Sequence, residues 1–205
     1  LRRCREGTEL LLSLPHIRFK GREPRGLRRR LPPEDLADAH LEAAVDAYTI
    51  LSQSGCTSIA GVEDAVEFGR TARAMEANSI DQTDQRCVWR TLGAVLLLRQ
   101  LSFHAGEDEQ AAVSDESALA LEQAAALLGS EASEFAYALT TRQLVTRDDE
   151  VTVPLTLLQA HDSRDALAKC IYGKLFAWIV QRCNATLQPV QKVCGFIGVL
   201  DIFGF

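Results

Sequence analysis

From residue 63 onward, apolar side chains recur at intervals of three and four, the spacing that gathers them onto one face of an α-helix. Over 63–78, Val66, Phe68, Thr71, Ala72 and Met75 fall largely on one side while Arg70, Arg73 and Glu76 face water, which predicts an amphipathic helix. Asp81 is placed to cap the next helix, where Asp84 at the third position complements the positive helix end. Val88, Trp89, Leu92, Val95 and Leu96 follow at helical spacing, and Leu98 and Leu101 widen the stripe, so this helix is expected to be buried on more than one side. A polar, acidic loop at 106–110 separates it from an Ala- and Leu-rich helix at 115–128 that Gly129 can terminate; Ser130 opens a shorter helix reaching 138.

The period then changes. Residues 143–146, the polar turn Arg147-Asp148-Asp149, and Val151, Val153 and Leu155 around Thr152 predict two short strands joined by a tight turn. Thr156 followed three residues later by Gln159 has the form of a capping box. Behind it Leu167, Ile171, Leu175, Trp178 and Ile179 step by three or four, which predicts a helix of roughly thirty residues, about 45 Å long, that Pro189 stops. Residues 196–200 have the apolar continuity of a strand buried on both faces, ending in Asp201-Ile202-Phe203-Gly204. Pro15, Pro24, Pro32 and Pro33 allow only short helices near the start. The expected fold is mostly α with a small β component: helices around a long central helix, one short hairpin and one terminal core strand.

Composition bounds this picture. In 205 residues, 47% apolar and 24% charged side chains are enough for a sizeable core and exclude disorder throughout. Uninterrupted apolar stretches such as 94–98 fall far short of the roughly 20 residues a bilayer crossing needs, so no membrane span is expected. Six cysteines form no C-x-x-C pair, and the four histidines are not at ligand spacing from them, so neither zinc nor redox chemistry is signalled; reduced thiols in a cytoplasmic setting are expected. Residues 1–30 carry ten basic against three acidic side chains, and the remainder twelve against 25. With Phe19 as its one aromatic and no repeating spacing, the basic arm reads as a solvated segment, and no nucleic-acid partner is expected. Trp89, Trp178 and Phe176 read as core anchors, and His104 and His161 as solvated or capping residues.

Chemistry concentrates at the final residues. A carboxylate at the end of a buried strand draws a hydrated cation, and a nearby glycine lets its backbone N–H approach a phosphate oxygen with no Cβ in the way. Alone, D-x-x-G is equally a strand-to-loop turn. Its surroundings say more: Val199-Leu200-Asp201-Ile202-Phe203-Gly204-Phe205 resembles the switch II segment of the myosin motor domain, and upstream blocks resemble the same family in the same order. These are Leu51-Ser52-Gln53-Ser54-Gly55-Cys56; Gly61-Val62-Glu63-Asp64 with Phe68, Arg70-Thr71 and Met75; Leu139-Thr140-Thr141-Arg142; Val153-Pro154-Leu155; and Arg164-Asp165-Ala166-Leu167-Ala168-Lys169 with Tyr172, Leu175-Phe176 and Trp178. The resemblance covers roughly residues 48–205.

The resemblance implies a partial P-loop-type α/β motor domain over 48–205, from the upper part of an actin-binding cleft through switch II, behind a divergent basic segment at 1–47. It implies that Asp201 acts on Mg2+ through a water and that Gly204 offers its N–H to the γ-phosphate of ATP, making these two the candidate catalytic and cofactor-binding residues, with Phe203 and Phe205 packing beside them. Loss of the phosphate bond would let the loop move, and the movement would reach a lever arm, outside this chain, that carries light chains or calmodulin. The hairpin tip, Arg147, Asp148, Asp149 and Glu150, is implied to be an actin-contact loop. Asp149, sixteen residues before Asp165, falls where the family carries an acidic or a phosphorylatable residue, so its charge would be present without a kinase. The implied setting is the cytoplasm, on the actin cytoskeleton.

The sequence departs from the family pattern in three features. It contains no G-x-x-x-x-G-K-[ST] phosphate loop and no Asn-rich switch I segment ending in Ser-Arg, and over 1–47 Glu9-Leu10-Leu11-Leu12-Ser13-Leu14 supplies aliphatics where an aromatic-bearing helix is expected. In the family both missing motifs precede the matched region, and a glutamate follows the position of Phe205. The chain therefore reads as an internal fragment, expected to be inactive alone. The alternatives are a non-catalytic helical interaction module and an inactive truncated motor remnant.

Overall fold

A computed structural model describes residues 37–41, 47–53, 55, 61–106, 109–145, 149–188 and 195. Within them the elements are α1 (Thr49–Ser52), α2 (Asp64–Ala77), α3 (Gln82–Gln100), β1 (Phe103–Ala105), β2 (Ala111–Val113), a 3-10 turn (Asp115–Ser117) running into α4 (Ala118–Leu128), α5 (Ala132–Thr140), β3 (Thr141–Val145), β4 (Glu150–Pro154) and α6 (Leu157–Thr186). The fold is mostly helical with two small antiparallel sheets, as the mostly-α reading expects. The expected short helices before residue 34, the stop at Pro189 and the strand at 196–200 lie outside the described residues.

Local signals set the helix ends. The Asp81 carboxylate accepts the Asp84 N–H at 2.9 Å and opens α3. Gly129, at φ +72°, closes α4 in the left-handed conformation that costs a glycine little, and the Ser130 N–H returns to the Ala125 carbonyl at 2.9 Å. Thr156 and Gln159 form the expected capping box at the head of the 30-residue α6.

Helices α3 and α6 run antiparallel and share two apolar clusters. One joins the N-terminal half of α3 (Val88, Trp89) to the C-terminal half of α6 (Ile179, Cys183), with Phe68 and Met75 of α2. The other joins Leu97 and Leu98 of α3 to Ala160 and Ala168 of α6, together with α4, α5 and the β1–β2 hairpin. Apolar faces on both sides of α3 explain why its buried positions run from Gln85 to Leu98 without a clean stripe.

Four expectations are corrected. The β1–β2 hairpin, pairing Phe103 with Val113 and Ala105 with Ala111 on either side of the loop read at 106–110, is a second hairpin where one was expected; strands of three residues carry too little alternation to register. Val66 is 38% exposed because it lies two positions, about 200° around the helix, from Phe68. Phe176 is likewise 38% exposed, about 100° from Leu175, so it flanks the core rather than anchoring it. His161 stacks edge-on to Phe103 at 5.1 Å instead of standing in solvent, whereas His104 is exposed.

Candidate functional site

Of the six candidate residues the structure places two. Asp149 and Glu150 lie at the tip-side end of the β3–β4 hairpin, both exposed; Arg147, Asp148, Asp201 and Gly204 lie outside the described residues. The hairpin register pairs Val145 with Glu150, Leu144 with Val151 and Arg142 with Val153. Alternation therefore puts Arg142, Leu144, Val151 and Val153 on one face, and Gln143, Val145, Glu150 and Thr152 on the other.

The hairpin is anchored at its base. Leu155 is buried there; its N–H donates to the Thr140 carbonyl at 2.8 Å, and its carbonyl accepts the Ala111 N–H at 2.8 Å. The Tyr137 hydroxyl donates to Thr152 Oγ1 at 3.1 Å, bracing one face. Beyond that the strands stand in solvent, with Val145 77%, Val151 49% and Leu144 43% exposed. An isolated two-stranded hairpin is marginal on its own, and these exposed apolar side chains adjoin the acidic Asp149 and Glu150. Sequence reasoning found the acidic tip but missed these exposed apolar side chains, which fall on both faces; the signal was available, because Leu144 and Val145 are consecutive and cannot both face one side of a strand.

The hairpin leads directly into α6, whose first turns are pinned to the end of α3. Arg99 and Arg164 both converge on the Asp165 carboxylate, Arg164 Nε at 2.8 Å, and Arg164 Nη1 also donates to the Leu101 carbonyl at 2.6 Å. Burial alone pushes the Asp165 carboxyl upward, but the two guanidinium groups outweigh it and hold its pKa below the ordinary 3.8. At the opposite end of α6, Arg182 pairs with Asp84 of α3 and donates to the Ser79 carbonyl at 3.2 Å. Neither arrangement was singled out in the sequence, since long-range ion pairs leave no local spacing. Burial also pushes the Cys183 thiol up, so it stays protonated as a packing residue.

Two concavities lie elsewhere: one of about 510 Å³ at the α4–α5 corner lined by Glu122, Ser130 and Glu134, and an apolar one of about 330 Å³ between α3 and α6 lined by Val88, Leu175 and Trp178. Neither contains a candidate residue. Among the described residues no helix is long and apolar enough to cross a membrane.

Comparison with known proteins agrees with this architecture. The family model of the myosin head (motor domain) matches residues 27–205. The chain is 39% identical over 165 residues to a Myosin-1 of Yarrowia lipolytica, covering 78% of this chain and 13% of the relative. It is 38% identical over 176 residues to a Myosin-5 of Arabidopsis thaliana (85% and 12%), and 40% identical over 161 residues to a Myosin-1 of the same plant (77% and 14%). The chain belongs to the myosin motor-domain family. It spans about one eighth of the length of these curated relatives.

Proposed function

We propose that this chain is the part of an actin-based motor ATPase running from the upper side of the actin-binding cleft (48–205) to the nucleotide sensor, behind a divergent basic segment at 1–47. The observation that carries the reading is the family match, which continues to Phe205 and so takes in Asp201 and Gly204. In this reading ATP, held with Mg2+, is bound largely by groups of the longer protein. Asp201 acts on the cation through a water, and the Gly204 N–H bonds a γ-phosphate oxygen; a glycine suits that contact because a Cβ would obstruct the approach. The hairpin meets actin filaments through Arg147, Asp148, Asp149 and Glu150, and the exposed Val145, Leu144 and Val151 add apolar contact area. Asp149 supplies a fixed negative charge there, so this loop needs no phosphorylation. The protein would work in the cytoplasm on the cytoskeleton, with light chains or calmodulin on a lever arm outside the chain.

The test is ATP turnover by the full-length protein with and without filaments. Filament-stimulated hydrolysis is expected, with none from residues 1–205 alone. Filament binding without turnover would instead make the gene product an inactive motor remnant.

A further inference from the structure

We propose that Arg182 is a positioning residue: gripped by the α2–α3 corner, it fixes the C-terminal end of α6 against α3, on the helix whose other end carries the hairpin. The role rests on the motor reading above.

Helices α3 and α6 are tied at both ends. Arg99 pairs with Asp165 at one end and Asp84 with Arg182 at the other. The two ties are separated by about 22 Å along α3 and about 25 Å along α6, at 1.5 Å per residue. Two helices tied at both ends and packed between cannot slide or splay without breaking a tie, so the pair behaves as one strut. The hairpin enters it at Leu157, and Asp201 follows its last helical residue, Thr186, by fifteen positions.

The Arg182 end is gripped by several groups at once. Its guanidinium meets the Asp84 carboxylate and the Ser79 carbonyl, and lies 5.5 Å from the centre of the Trp178 ring. One turn on, the Thr186 hydroxyl donates to the Cys183 carbonyl at 2.7 Å and lies 3.3 Å from Asn78 Oδ1, while Asn78 Nδ2 donates to the Ala74 carbonyl at 2.8 Å. Ser79 holds a left-handed backbone at φ +57°, which turns its carbonyl out of the α2–α3 corner toward Arg182. A planar fork can serve a carboxylate, a carbonyl and a ring face together; a lysine ammonium would serve one of them well. Arg182 is 42% exposed and Asp84 28%, and so open a pair adds little to stability. Its directional contacts therefore matter for placement, not for holding the fold together.

The test uses the full-length protein with pyrene-labelled actin filaments and a fluorescent ATP analogue. Arg182→Ala should slow ATP-induced release from filaments by about tenfold, within the usual range of coupling between sites, and leave analogue affinity of the filament-free protein within about threefold. Arg182→Lys should restore part of the release rate. Asp84→Asn, an isosteric change, should shift release in the same direction and keeps the test open if Arg182→Ala fails to fold. Arg90→Ala, which removes the exposed pair with Asp38 at 2.6 Å, should change neither quantity. Normal release in folded Arg182→Ala or Asp84→Asn, with wild type released by ATP, overturns the clamp alone. A wild-type protein that ATP does not release overturns the motor reading and this role with it.

Discussion

Gly93 shows how one side chain fixes a contact between distant segments. It lies on α3 facing residues 37–41, and an added Cβ would collide with the Ala39 carbonyl oxygen. Gly93→Ala should therefore destabilise the chain by about 1–3 kcal/mol, read as a lower urea midpoint. Gly173 on α6 has nothing within 4 Å of its would-be Cβ, so Gly173→Ala should stabilise by about 0.5–1 kcal/mol. Asp165 ties stability to pH. Because its folded pKa lies below 3.8, the stability it contributes is present above about pH 4 and is lost as pH falls through the folded value. Asp165→Asn should lower stability at pH 7 by about 1–2 kcal/mol, a figure already reduced for a carboxylate 35% exposed, and should flatten the acid limb of a stability-versus-pH curve.

Among the elements, those that announce themselves locally were legible. The Asp81 cap, the Thr156 and Gln159 box and the left-handed Gly129 each act within a few residues, so sequence spacing alone identifies them. Thr156→Ala should lower stability by about 1 kcal/mol, measured by thermal or urea unfolding. The β1–β2 hairpin was not legible, because its strands are short and Phe103 is held by a partner far along the chain, His161. The β3–β4 hairpin was legible as strands and as an acidic tip, but the face taken by each exposed apolar side chain, Leu144 with Val151 and Val145 opposite, came from the register. If the hairpin meets filaments, Val145→Ser with Val151→Ser, one on each face, should weaken filament affinity of the full-length protein severalfold while leaving ATP affinity unchanged. Cosedimentation at fixed salt reads the difference; unchanged affinity would detach the hairpin from actin binding.

Among the described residues, two apolar clusters share α3 and α6, so the end of α6 next to the hairpin and its C-terminal end belong to one packed unit. That continuity could not be read from periodicity, which shows that a helix has an apolar face but not which helix covers it. The central claim is that Asp201 and Gly204 report the state of a bound triphosphate, and Gly204→Ala in the full-length protein tests it most directly. A Cβ there should block the backbone approach to the γ-phosphate, so turnover should fall by about 10²–10³-fold while a fluorescent ATP analogue still binds within about tenfold of wild type. Filament-stimulated turnover at the wild-type rate in that variant would contradict the account.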